Sequence, residues 1–274
     1  MAEHRFVDVG GIRTHYVVAG EGPPLLLLHG LGATLIAWAA NIAPLAQKFT
    51  VYAPDIPGHG ESDKPDLDYR VPTGAKFIRD FMHTLGIPRA YIIGNSMGGI
   101  LALRAALDYP SLVEKLVLVD AAGLGRRLSW YLRIISLPLI GDVLEPTSLR
   151  GARALLRNIF YDRSLVQDGL VQELYHARSM PGAKRAVLKT IRGAVNMGGL
   201  KQEWVMAKQL NELQAPTLIV WGSQDRLVPV EDARAAVQQA PGVRLHIFDQ
   251  CGHWPQLEKA GEFNQMVLDF LGGP

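Results

Sequence analysis

The chain has 274 residues, 48% hydrophobic and 20% charged, with a formal net charge of +2, which suffices for one large core with an insertion. Its Lys, Arg, Asp and Glu residues are dispersed and form no basic stripe, excluding a nucleic-acid partner, and its one cysteine, Cys251, excludes an internal disulfide framework. The longest apolar stretch, Trp130 to Ile140, is interrupted by Arg133, and the start Met1-Ala2-Glu3-His4-Arg5 lacks a signal peptide's apolar region, so the expectation is a cytoplasmic protein with no membrane span.

Residues 3–19 alternate like an edge hairpin turning at Gly10-Gly11. A four-leucine strand at 24–28 runs into His29-Gly30-Leu31-Gly32, and a helix is predicted over 35–46. A strand at 49–54 leads into Asp55-Ile56-Pro57-Gly58-His59-Gly60-Glu61-Ser62, where Asp55 and His59 are expected to fix a turn. A helix over 72–86 and a strand over 90–94 follow, then a helix over 96–109 and a strand over 115–119. From Leu124 to Lys208 no strand signal appears, and the segment reads as four or five helices broken at Pro138, Pro146 and Pro181. Strands at 216–221 and 243–248, with helices over 231–240 and 258–271, complete the chain. Such alternation means a mostly parallel sheet of about eight strands covered on both faces, an α/β class. The expected core is 1–123 plus 209–274, and 124–208 is the expected helical cap. Its Trp130, Tyr131, Leu155, Phe160, Leu174 and Tyr175 would roof an apolar pocket, and Lys184, Arg185, Lys189 and Arg192 read as a solvated helix face.

Chemistry concentrates at three loops. Gly94-Asn95-Ser96-Met97-Gly98 places a serine between a buried strand and a helix, with glycine two residues to either side, the pattern of a nucleophile elbow. Composition alone yields about 0.1 such matches in a chain of this make-up. Ser96 as a mere helix N-cap would leave the glycines unexplained. A serine hydroxyl needs a base, and the base needs an acid to orient it. Asp225 lies in the loop after the strand 216–221, and His253 lies 28 residues further on, after one helix and one strand, so the two loops emerge at the same sheet edge. Asp120, at the end of the strand 115–119, is a rival acid. Backbone N–H groups of Leu31 and Met97 are the expected oxyanion donors, and Gly30, Trp254, Trp130, Leu174 and Tyr175 the expected pocket lining. His29 should pack behind the Leu31 loop. Cys251 has no His partner of its own and reads as a buried small residue. No His/Cys/Asp set has metal-ligand spacing, and no GxGxxG follows a first strand, so neither metal nor cofactor is expected.

Together, His29-Gly30, the Asp55 to Ser62 run, the elbow, the Asp225 loop and the His253 loop resemble the α/β-hydrolase superfamily over about residues 24–270. The resemblance implies an α/β-hydrolase fold and acyl transfer through Ser96, Asp225 and His253; some members carry their acid at the position of Asp120. A serine rather than an aspartate at the elbow sets the chain apart from the haloalkane dehalogenases and epoxide hydrolases. A carboxylesterase acting on small-molecule esters or related carbonyl compounds is the leading expectation. The Gly94 to Gly99 run, Cys251-Gly252-His253-Trp254 and Phe160-Tyr161-Asp162-Arg163-Ser164-Leu165 also resemble the meta-cleavage product hydrolases, which cleave C–C bonds, and this is the alternative. The chain departs from that family at Ala33-Thr34, where Pro-Gly is usual. It departs again at Leu174, which aligns with a cap arginine for an acidic substrate; Arg178 lies one helical turn further. A small-molecule receptor on the same fold is a third reading, separated from the others by turnover.

Overall fold

The computed structural model describes residues 2–145 and 148–273, so Pro146, expected above to break the cap, lies outside the described residues. The hairpin β1 (Glu3–Val9) and β2 (Ile12–Ala19) turns at Gly10-Gly11 and pairs antiparallel. The strands β3 (Pro24–Leu28), β4 (Thr50–Pro54), β5 (Ala90–Asn95), β6 (Val113–Val119), β9 (Thr217–Gly222) and β10 (Arg244–Phe248) continue the sheet in the order β1-β2-β4-β3-β5-β6-β9-β10. From β4 onward every pairing is parallel.

The strands carry apolar side chains on both faces because both faces are covered. Leu25 and Leu27 of β3 point into one cluster with Trp38 and Phe263, whereas Leu26 and Leu28 join the opposite cluster with Ile78 and Phe81. That period of two explains why a run of leucine serves as a strand here. Helices α2 (Val71–Thr84), α3 (Met97–Asp108) and α9 (Val230–Gln238) bury their apolar stripes in the second cluster; α1 (Ile42–Leu45) and α11 (Ala260–Gly272) cover the first, and the short α10 (Pro255–Glu258) leads into α11. The single helix expected over 35–46 is instead a 3-10 turn at Leu35–Trp38 followed by α1. Thr34 and Asp55 each accept a backbone N–H at the start of that turn, from Ile36 at 3.2 Å and Leu35 at 2.9 Å, and Pro44 has no N–H with which to continue a longer helix.

Between β6 and β9 lie α4 (Trp130–Ile135), α5 (Ile140–Leu144), α6 (Leu149–Ile159), α7 (Asp168–Ser179) and α8 (Ala183–Ala194). The expectation of helices without strands is corrected by the hairpin of β7 (Val195–Asn196) and β8 (Gly199–Leu200). Two residues per strand are too few to register as alternation, and the pair is pinned from outside by Leu200 N–H donating to Arg126 C=O at 2.9 Å. Nor is the basic face of α8 idle: Arg192 pairs with Asp142 at 2.7 Å, Lys189 pairs with Asp66, and Arg185 donates to Lys64 C=O, clamping α8 to α5 and to the loop before α2. No described helix is long and apolar enough to cross a membrane.

Strand order reverses at β3: the chain steps from it to β4 on one side and then to β5 on the other. Loops leaving β3 and β5 therefore diverge and open a crevice at the C-terminal strand ends, where ligands of open α/β sheets bind.

Candidate active site

The loop after β5 is a sharp strand-to-helix turn. Ser96 has φ 56° and ψ −113°, a conformation that costs about 1–3 kcal/mol and persists only where the surroundings over-determine it. Here they do. Ser96 N–H donates to Val119 C=O at 2.9 Å, and Ser96 C=O accepts from Ile100 and Ala122, each at 3.2 Å. A Cβ on Gly94 would stand 2.3 Å from the Gly98 carbonyl oxygen, and one on Gly98 would stand 2.2 Å from that of Leu28, so neither position admits a side chain. Although Ser96 occupies the N-cap of α3, its side chain makes no capping bond. The hydroxyl faces a cavity of about 340 Å³ that His253 also lines.

His253 Nδ1 bonds Asp225 Oδ2 at 2.7 Å with both side chains buried. A carboxylate only accepts, so His253 donates through Nδ1 and keeps Nε2 as its free basic nitrogen. The other oxygen of Asp225 accepts from Leu227 N–H at 2.7 Å and Val228 N–H at 3.1 Å, which fixes the carboxylate from behind. Asn95, beside the serine, donates from Nδ2 to His253 C=O at 3.1 Å and so ties the elbow to the histidine loop. Asp120, the rival acid, instead accepts Gly222 N–H at 3.0 Å through Oδ1. Complete burial and the nearby Asp225 carboxylate push its carboxyl well above the usual carboxylate range. Among the described residues, donor atoms of Asp120, Asp225 and His253 form one cluster within 4.8 Å, but its histidine Nδ1 is already spent on Asp225.

The loop after β3 is held from below. His29 is buried and donates from Nδ1 to Gly30 C=O at 2.8 Å while Nε2 accepts from Ile56 N–H at 2.9 Å. Burial lowers its pKa, which keeps the ring neutral in this bridging role. Asp55 accepts from Leu35, Glu61 and His15 and fixes the turn on the other side. Leu31 and Met97 both line the cavity, and Met97 opens α3, where a backbone N–H has no partner within the helix.

Of the expected lining, Gly30 and Trp254 reach the cavity. Trp130, Leu174 and Tyr175 do not. Trp130 is 65% exposed, with the Arg133 guanidinium over its ring, and Leu174 is buried in the apolar core. The stripe that α4 and its lead-in present to the cavity is Leu128, Tyr131, Leu132 and Ile135. Tyr131 of this stripe and Leu155 were expected in the roof and do reach the cavity, whereas Leu128, Leu132 and Ile135, which share its spacing of three and four, were passed over.

The family model for the alpha/beta hydrolase fold matches residues 23–260. The chain is an α/β hydrolase. Among curated relatives of this hydrolase is the 2-hydroxy-6-oxo-6-phenylhexa-2,4-dienoate hydrolase of Comamonas testosteroni, 33% identical over 271 residues, covering 96% of this chain and 93% of that one. An enzyme of the same name from Burkholderia cepacia is 33% identical over 96% of this chain and 92% of its own. Among solved structures, the meta-cleavage product hydrolase of Pseudomonas fluorescens matches with TM-score 0.82 and 31% identity, over 98% of this chain and 97% of that one. The reading held second at the level of sequence is therefore the better supported, and the leading ester expectation the less.

Three features of this hydrolase's site escaped the sequence reading. His59 lines the cavity, stacked edge-to-face against His29, and burial lowers its pKa to about 3. Glu258 accepts Gly252 N–H at 2.7 Å, Tyr161 N–H at 2.8 Å and Asp162 N–H at 3.1 Å, joining the histidine loop to the end of α6. Arg178 and Glu145 form an ion pair with side chains only 6% and 2% exposed, lining an otherwise largely apolar cavity. Only Arg178 carried a signal, its offset of one turn from Leu174.

Proposed function

We propose that this hydrolase cleaves the C–C bond beside a ketone in an acidic dienoate of the kind for which its relatives are named. Ser96 is the nucleophile, His253 the base, Asp225 its orienting acid, and Leu31 and Met97 N–H the oxyanion donors, carried by a core of 1–123 and 209–274 under a cap of 124–208. The observation that carries the reading is Arg178. A guanidinium buried in an apolar cavity is costly to maintain, and this one donates to Gly32 C=O at 3.1 Å, on the same loop as the Leu31 oxyanion donor. An anionic substrate held there lies alongside the reacting carbonyl.

His253 removes the Ser96 proton as the oxygen bonds to the ketone carbon, and the negative charge passes to the ketone oxygen. The dienol first tautomerises to a 2-oxo compound with one remaining C=C bond, so that the carbon beside the ketone is tetrahedral and the electron pair left on it when the bond breaks is delocalised through that C=C bond into the new 2-oxo group. When the C–C bond breaks, that carbon takes the proton from His253, and Ser96 retains the acyl group. Water then gives its hydroxyl to the acyl carbon and its proton, through His253, back to Ser96.

A second reading, carboxylester hydrolysis by the same residues, is favoured by Glu145, whose pairing with Arg178 leaves the subsite without net charge. Steady-state kinetics of a 2-hydroxy-6-oxo-dienoate and of p-nitrophenyl esters, with wild type and Ser96→Ala, separate the two. Serine-dependent preference for the dienoate supports C–C hydrolysis, ester turnover without dienoate cleavage makes the chain an esterase, and binding without turnover of either makes it a receptor.

A further inference from the structure

Arg178 enters the cavity already neutralised. Its Nη2 is bonded to Glu145 Oε1 and its Nη1 to Gly32 C=O. Among the described residues, three buried atoms of this corner have no hydrogen bond of good geometry, Arg178 Nε, Glu145 Oε2 and the Tyr131 hydroxyl, with the Tyr131 side chain lying against that of Glu145. All three residues line the cavity. Unpartnered buried polar atoms on a cavity wall are a demand for a polar ligand. A ligand carboxylate brought to Arg178 would, however, meet Glu145 as a second negative charge on one guanidinium, and two carboxylates sharing so small a buried site do not both stay ionised.

We infer that Glu145 takes up a proton when an anionic ligand binds at Arg178, so that the corner exchanges its own carboxylate for the ligand's. This deepens the C–C hydrolase reading and rests on it. Once protonated, Glu145 changes from acceptor to donor, and its O–H, the Arg178 Nε–H and the Tyr131 O–H all become donors toward the incoming anion. A neutral carbonyl ligand uses the Arg178 and Tyr131 donors and needs no proton. The charged and titratable groups around Glu145 are consistent with its being the one that titrates. Arg178 faces it from α7, and Lys184 reaches it from α8 as a second basic side chain. The Tyr131 phenol on α4 is pushed further above its ordinary value by burial. His59, which faces Arg178 from the loop after β4, is held neutral at about 3 by burial. Burial raises the Glu145 carboxyl against the opposing pull of Arg178.

The test is calorimetric titration at neutral pH, in two buffers of different ionisation heat, with hexa-2,4-dienoate and hexa-2,4-dienamide, neither of which has the ketone-flanking C–C bond of the proposed reaction; the titrations use Ser96→Ala beside wild type, so that amide hydrolysis adds no heat. Wild type should take up about one proton per dienoate bound and none per amide, and dienoate affinity should fall about tenfold per unit rise in pH. Glu145→Gln should abolish the uptake and tighten dienoate binding about tenfold, its folding checked by a cooperative thermal melt. Dienoate binding to wild type without proton uptake overturns the inference with no variant needed. So does failure of the dienoate to bind, or weaker binding by a folded Glu145→Gln. Turnover of the full ketone substrate is scored separately. Proton-linked dienoate binding without C–C cleavage would sink the proposed reaction and leave the exchange standing, and the reverse result would do the opposite.

Discussion

Asp120→Asn should stabilise the protein, and by an amount that grows with pH. Asparagine keeps the shape of the side chain: its Oδ1 still accepts Gly222 N–H, now accepted by Asp120 Oδ1 at 3.0 Å, and its amide still donates toward Asp225. What changes is the proton. In the folded chain, burial and the Asp225 charge hold the Asp120 carboxyl protonated well above its ordinary value of 3.8, whereas the unfolded chain releases that proton near 3.8. Between those two values the native state binds one more proton than the unfolded state, so wild-type stability falls as pH rises through the window and is fully present below it. One proton sets the slope at about 1.4 kcal/mol per pH unit, and the asparagine variant lacks it. Urea unfolding of both proteins at unit steps from about pH 4 upward measures the difference. It should start near zero, widen at that slope and level off where native Asp120 finally ionises. A difference independent of pH would refute the account, because it would mean that Asp120 is ionised in the folded protein.

Ser96→Ala should lower kcat by on the order of 10⁶ if Ser96, His253 and Asp225 act as a unit; a loss of only a few-fold would remove the nucleophile assignment. Glu258→Ala deprives Gly252, Tyr161 and Asp162 of their shared acceptor, and should cost about 1–3 kcal/mol in thermal or urea unfolding. It should also lower kcat more than it raises KM, because it loosens the His253 loop rather than the lining. Trp130→Ala should leave kcat/KM within about twofold and stability within about 0.5 kcal/mol, as for a surface side chain, whereas Leu132→Ala on the cavity face of α4 should alter KM. Phe263→Ala, fully buried between α11 and the sheet, should cost about 3–5 kcal/mol in the same unfolding experiments.

Where the sequence was legible, a short-range signal and a long-range demand agreed. The elbow could be read because Gly94, Ser96 and Gly98 answer to one local turn, the Asp225 loop because it ends the fully buried strand β9, and the His253 loop because it follows the alternating edge strand β10. The eight-strand sheet followed from alternation alone. Illegible were the features made by chain segments meeting at a distance. Glu258 looks like any helix glutamate until the backbone at 161 and 162 arrives above it. The Glu145–Arg178 pair joins positions 33 residues apart with no shared motif. Residues 35–46 read as one helix because composition favours it, while the 3-10 start is held by Asp55 from another loop and Pro44 lacks the N–H a longer helix would use. Trp130 was misjudged because burial of an aromatic depends on the direction its helix faces, a property of packing rather than of the residue.

The bonding around residue 159 sets the terms on which this enzyme could be re-engineered. His253 N–H donates to Ile159 C=O at 2.8 Å, and Glu258 staples Tyr161 and Asp162, just beyond α6's exit, to the same loop. The footing of the helices between β6 and β9 is thus also the mounting of His253, the proposed base. A graft that exchanges the helices between β6 and β9 for those of a relative changes more than the shape of the cavity; it replaces a hydrogen-bond acceptor of the His253 loop. Such a chimera inherits its specificity and its imidazole alignment from the same splice point, so a join placed after residue 162 preserves the machinery that a join placed before 159 discards.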